Sequence, residues 1–186
     1  MTPDELIEQV TLSYGQLSEK TGTLFDWLKE IVRDVEAKLL PEYMYEVTTA
    51  TLSGATTYLY TDAAYIESVA HNDGNSLLYR TTKAGVEQMW SGITDCLYWY
   101  PKQQPDGIAI YFNASPTDDV VIKARVFTDL GSDSSVDFPE LDYIAPVVLN
   151  GLHAKASGVL KDKERLAVYS QQYMAQLGEL PQQKGG

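Results

Sequence analysis

Few side chains in this sequence are equipped for chemistry. It holds two histidines, His71 and His153, and one cysteine, Cys96. Neither histidine has a cysteine or carboxylate at metal-ligand spacing beside it, so no metal site is expected. An internal disulfide needs a second thiol. Cys96 lies in the apolar run Cys96-Leu97-Tyr98-Trp99-Tyr100 and reads as a buried, inert thiol. No glycine-rich phosphate loop follows a strand pattern, and no Gly-x-Ser-x-Gly elbow occurs. Asp118 and Asp119 are adjacent, and adjacent strand residues point to opposite faces, which suits them badly to shared acid–base work. Two carboxylates of a glycoside hydrolase can come from separate elements, so that class stays open. The richest signal is aromatic: Tyr58, Tyr60, Tyr65, Tyr98, Trp99, Tyr100 and Tyr111 concentrate in the middle of the chain. Stacked rings could present a platform for a carbohydrate or a receptor. Tyrosine is also favoured in strands and at subunit interfaces, which needs no ligand. The expectation is a protein with no catalytic, cofactor-binding or metal-binding residue.

Composition narrows the partners. The net charge of −12 argues against a nucleic-acid surface, which needs clustered Lys and Arg to displace counterions. The acidity is spread along the chain, and no segment forms a basic arm. Hydrophobic residues make up 44%, enough for a core, yet no run approaches the roughly 20 apolar residues that span a bilayer. Met1-Thr2-Pro3-Asp4-Glu5 lacks the basic and apolar regions of a secretory signal, so synthesis in a cytosol is expected.

The elements that position these residues follow from period and punctuation. Thr2-Pro3-Asp4-Glu5 is a capping-box start, and Leu6, Val10, Tyr14 and Leu17 form an apolar stripe that Thr21-Gly22-Thr23 ends. A second helix carries Leu24, Leu28, Ile31, Val35 and Leu39. From Tyr43 the period changes to two, with Tyr43, Tyr45, Val47, Thr49 and Thr51 on one face of a half-buried strand. Ser53-Gly54-Ala55 reads as a turn, and Thr57–Thr61 and Ala64–His71 as strands. Asn72-Asp73-Gly74-Asn75 is a hairpin turn, with Leu77–Thr81 returning. Thr82–Trp90 reads as a helical crossing. Strands follow over Asp95–Tyr100, stopped by Pro101, and over Ile108–Asn113 and Val120–Val126. Asp137-Phe138-Pro139-Glu140 opens a helix with Leu141, Ile144, Val148, Leu152 and Ala156 on one face. Pro146 demands either a start near Asp142 or a bend. Gly158 closes this helix. Asp162 caps the last one, where Leu166, Tyr169, Tyr173 and Leu177 form a stripe, Gly178 supplies a left-handed end and Pro181 a stop.

The resulting class is α+β, with helices from both chain ends packed together and a mostly antiparallel β domain between them. The boundaries are 1–42 and 137–178 for the helical part, 43–128 for the β domain, and 179–186 for a flexible tail.

One part of the chain is familiar as a set. It runs Tyr98-Trp99-Tyr100-Pro101, Ile108-Ala109-Ile110-Tyr111-Phe112, Ser115-Pro116 and Val120–Val126. Asp137-Phe138-Pro139, Leu141, Tyr143, Ile144, Leu149, Gly151, Leu152, Ala154, Ala156, Asp162, Ala167, Tyr169 and Tyr173 follow. This order resembles the head–tail connector adaptors of tailed bacteriophages, especially the short-tailed ones. Pro146 and the long β segment from Tyr43 to Arg80 depart from that family's pattern. The resemblance implies a virion structural protein of the neck. About a dozen copies would form a closed ring under the portal protein. The ring would carry the tail nozzle or tail tube below and let DNA pass without specific binding, with no membrane involved. It implies a grip on the portal through the last helix and tail: Tyr169, Tyr173, Leu177, Leu180, Pro181, Gln182, Gln183, Lys184, Gly185 and Gly186.

Overall fold

The computed structural model describes residues 1–51, 57–72, 76–86, 95–105 and 107–179. Its class is α+β: two helices from each end of the chain, and antiparallel-dominated sheets in the middle. Two compact units result, residues 1–43 with 128–186, and residues 44–127.

The helical unit contains α1 (Pro3–Ser13), α2 (Thr21–Leu39), α3 (Leu141–Val159) and α4 (Lys163–Glu179). The capping box forms: Glu5 N–H donates to Thr2 Oγ1 at 3.2 Å, and Thr2 N–H donates to Glu5 Oε2 at 2.8 Å. All four stripe residues, Leu6, Val10, Tyr14 and Leu17, are buried. They do not share one helix, because α1 stops at Ser13 and Gly15–Leu17 form a 3-10 turn. Gly15 is a weak helix former placed where the break falls. The expected stop at Thr21-Gly22-Thr23 is instead the first turn of α2. Leu24, Leu28, Ile31 and Val35 of α2 are buried against Leu141, Ile144, Val148 and Leu152 of α3 in one core.

Three further helix boundaries differ from the expected ones. Asp137 does not cap α3; its carboxylate accepts from the Met1 ammonium at 2.6 Å, and α3 begins at Leu141. The start near Asp142 is one of the two expected alternatives, and Pro146 still lies inside α3, in its second turn, where it cannot supply an i→i−4 donor. Gly158 does not close α3 either. The left-handed residue is Lys161 (φ 59°). Asp162 N–H donates to Ser157 O at 2.9 Å and Lys161 N–H donates to Gly158 O at 3.2 Å, the paired bonds of a Schellman end. Lysine in that seat carries a Cβ penalty that glycine lacks. Lys161→Gly is therefore expected to raise stability by about 1 kcal/mol, read as a shift in urea midpoint at constant slope. Finally, α4 continues through Gly178 to Glu179, so its end is not the glycine. Asp162 does cap α4, accepting from Arg165 N–H at 3.1 Å.

The β unit contains β1 (Tyr45–Ala50), β2 (Thr57–Thr61), β3 (Ala63–His71), β4 (Tyr79–Arg80), β5 (Tyr98–Gln104), β6 (Gly107–Phe112) and β7 (Val120–Val126). They form a three-stranded sheet in the order β1-β7-β3 and a four-stranded sheet in the order β2-β6-β5-β4. Both sheets contribute to one core that includes Trp99, Ile66, Ile110, Ile122 and Phe112. β7 alternates as expected, with Val120, Ile122 and Ala124 fully buried. On β1 the period is right and the face is reversed. Tyr45 and Val47 pair with Arg125 and Lys123 of β7, so they share its outer face and are exposed. A strand's period of two leaves its face to the neighbour's register.

Pro101 does not stop β5; it lies inside the strand, paired with Ile110. On its other side β4 reaches only Tyr98 and Trp99, so Pro101 occupies an edge position that needs no N–H. Leu77–Thr81 does not return as one strand along β3. Leu77 makes a single bridge to Ala70, and Tyr79–Arg80 then pair in parallel with β5. The turn read at Ser53-Gly54-Ala55 and all but Asn72 of the turn at Asn72–Asn75 lie outside the described residues. Of the crossing read at Thr82–Trp90, residues 82–86 are described and 83–86 are helical, with Val86 N–H donating to Thr82 O at 3.0 Å.

Among the described residues of the helical unit one carboxylate is buried. Glu36 of α2 is 1% exposed. It accepts from Tyr43 Oη at 3.0 Å, Thr128 N–H at 3.0 Å and Thr128 Oγ1 at 2.6 Å. Tyr43 and Thr128 are the residues at which the chain leaves this unit and re-enters it.

Candidate functional site

The segment that the sequence singles out is α4. Its seat is built by glycine and small residues of α3. At Gly151 a Cβ would lie 2.8 Å from Ile31 Cγ2 and 3.1 Å from Tyr173 Cε2, so only glycine lets the Tyr173 ring approach. The Tyr173 hydroxyl then donates to Asp34 Oδ2 of α2 at 2.7 Å. Lys38 donates to the same oxygen at 2.9 Å. Burial alone would raise the Asp34 carboxyl, but the Tyr173 and Lys38 donors hold it below its ordinary range. Burial and the Asp34 charge push the Tyr173 hydroxyl far up, so it donates throughout the ordinary pH range. One turn earlier, Tyr169 stacks on His153 with ring centroids 4.5 Å apart and planes at 16°. One turn later, Asn150 Nδ2 donates to Gln176 Oε1 at 2.8 Å.

These contacts show where the sequence-named residues go. Tyr169 and Tyr173 are half-buried and turned onto α3 and α2, and Leu177 packs at the edge of the helical core. Leu180 and Pro181, Gln182, Gln183, Lys184, Gly185 and Gly186 lie outside the described residues. The face that α4 leaves open is its other one. Val168 (52% exposed) and Met174 (62%) lie there with Gln171, Gln172 and Ala175, and no charged residue occurs between Arg165 and Glu179. In a chain that is 22% charged, an exposed helical stretch without charge is a signal that the apolar stripe alone does not reveal. Beside it runs a groove of about 620 Å³ lined by Ile31, Gly151, Ala154, Val159, Leu166 and Tyr173, with the Lys155–Glu30 ion pair on its rim.

The aromatic cluster of the β unit divides into inside and outside. Trp99, Tyr60 and Tyr100 are buried, and Trp99 Nε1 donates to Leu78 O at 3.2 Å. They cannot serve as a platform. Tyr45, Tyr65 and Tyr79 are exposed. Arg80 Nη1 donates to Tyr65 Oη at 3.1 Å, and its guanidinium lies 5.5 Å from the Tyr65 ring centre. Tyr79 and Tyr98 rings are 5.8 Å apart. Tyrosine with arginine is the usual composition of a binding surface's energetic centre.

Reactive chemistry is sparse. Among the described residues no group of three His, Cys, Asp or Glu side chains gathers as a metal site. Cys96 is buried, and burial pushes its thiol up to about 11, away from the reactive thiolate. His153 lies between rings in the helical unit and His71 at the end of β3. No helix among the described residues is long and apolar enough to cross a membrane. No protein-family model matches this chain, and no curated protein matches it.

Proposed function

We propose that this chain is a non-enzymatic structural adaptor of a phage virion. In this reading copies form a homo-oligomeric ring that joins the portal protein to the tail nozzle or tail tube. DNA passes its lumen without specific binding. The protein is made in the host cytoplasm and ends in the neck of the virion. The observation that supports this most is the meeting of helices from both chain ends in one unit whose last helix offers an exposed, uncharged face. Such a face suits packing against protein, because no charge has to be stripped of water to cover it. The net charge of −12 is compatible with a lumen that DNA slides past. The order of elements fits the connector resemblance.

The polar segment Pro181 to Gly186 has nothing to bury and is assigned to the portal contact. Deleting it is expected to lower portal binding by about tenfold or more in a pull-down. The melting temperature should stay within about 1 °C. Equal loss of binding and of melting temperature would assign the segment to folding instead.

A second reading rests on Tyr65, Tyr79 and Arg80: a carbohydrate- or receptor-binding surface of a tail protein. It predicts binding that Tyr79→Ala abolishes and that needs no ring.

A further inference from the structure

α4 is held to its unit by half-buried side chains rather than by a buried face of its own. None of its described residues is buried, although it lies along α3. Its hinge, Leu160–Asp162, carries the left-handed Lys161. The centre of its seat is His153, a buried residue that is 7% exposed. Nδ1 of His153 is buried with no hydrogen-bond partner. The groups facing it from each neighbouring element are few. Tyr14, after α1, presents its ring at 5.6 Å, with its hydroxyl occupied by Ser157 Oγ at 2.6 Å. Tyr169 of α4 covers it as a stacked ring. Arg165, also of α4, lies over Tyr14 at 5.3 Å and is partnered by Asp162 at 3.5 Å. A proton on His153 would therefore be a buried cation with no carboxylate beside it, next to a cation on the helix it holds.

We propose that α4 is an acid-released arm: proton uptake at His153 frees it from α3, and it swings about the Leu160–Asp162 turn. The sequence of events is electrostatic. Burial, and then Arg165, hold the His153 pKa below its ordinary 6.5. The folded unit thus binds this proton less readily than the undocked one. Docking is favoured above 6.5 and weakens as pH falls from 6.5 through the depressed value. Of the other shifted carboxyls, Asp34 and Asp133 share this direction but only at pH below 3.8, and Glu36 opposes it. Asp34 is held below 3.8 and keeps Tyr173 in mildly acidic solution. Glu36 is raised above 4.5, so acid favours its buried state. The proposal concerns α4 itself and does not depend on the adaptor reading.

Hydrogen exchange read by mass spectrometry, corrected for intrinsic rates, tests it at about pH 7.5 and about pH 4.5. Protection of α4 amides should fall by about tenfold or more at the lower pH while α2 keeps its protection. His153→Phe retains the ring stack and removes the titration, so its α4 should stay protected at both values. If that variant fails to fold, His153→Gln serves, and the contrast between α4 and α2 in the unaltered chain decides by itself. Unchanged α4 protection, an equal loss in the variant, or a loss shared with α2 would each overturn the proposal.

Discussion

Trp99→Ala is expected to cost the β unit about 4 kcal/mol, read as a fall in urea midpoint monitored by the near-ultraviolet signal of its aromatic residues. The side chain is 1% exposed at the centre of the core shared by both sheets. Removing it leaves a void that β-sheet neighbours cannot close without breaking register, and the cavity adds to the lost transfer energy. It also removes the donor to Leu78 O and the ring beneath Arg80, whose guanidinium lies 5.7 Å from its centre. Since domain stability is only about 5–15 kcal/mol, such a loss leaves the unit marginal. Trp99→Phe keeps most of the volume and should recover about half of it. A change below about 1 kcal/mol for the alanine variant would mean that Trp99 is not the core residue described.

Glu36→Ala carries the second large effect, about 3 kcal/mol. The carboxylate is the shared acceptor for Tyr43 and for both donors of Thr128. Alanine leaves those part-buried donors without their partner, which costs more than the carboxylate's own desolvation returns. Glu36→Gln keeps an acceptor and should lose about half as much. The pH dependence separates these cases. Burial raises the Glu36 pKa above 4.5 despite the lowering by its Thr128 and Tyr43 partners. The unfolded chain therefore releases this proton first. Its contribution is full below 4.5 and declines as pH rises through the folded value. Melting curves across that interval should slope downward with pH for the natural residue more than for Glu36→Gln. An identical slope in both would remove Glu36 as the cause.

How much of this was legible in the sequence depended on whether the signal was local. The Thr2–Glu5 capping box and the Asp162 cap are complete within four residues, and both formed. The α2 and β7 stripes were readable because each buries a whole face. The misplaced features were decided at a distance. Asp137 was available to cap α3, but the Met1 ammonium, far off in sequence, took its carboxylate. Tyr45 and Val47 had the right period, but only pairing with β7 chose their face. Pro101 reads as a strand stop until β4 proves too short to need its missing donor. Gly158 looked like a helix end, yet the chain spends its left-handed residue on Lys161, which propensity disfavours.

The helix that carries the candidate residues was legible in the sequence, and the orientation of their side chains was not. Tyr169 and Tyr173 mark α4, but their spacing turns them onto His153 and Gly151. The open face is recognisable only by the charges it lacks. The buried position of Trp99 likewise removes the most prominent ring from any platform. Composition could not give that, since strand preference and ligand stacking call for the same residues.

The most direct measurement of the adaptor proposal is electron microscopy of the purified chain mixed with portal rings of the same virus. The proposal predicts an added layer of density with the portal's rotational symmetry, seated on one face of each ring. Bare portal rings beside dispersed single copies of the chain, at concentrations where other neck components attach, would contradict it.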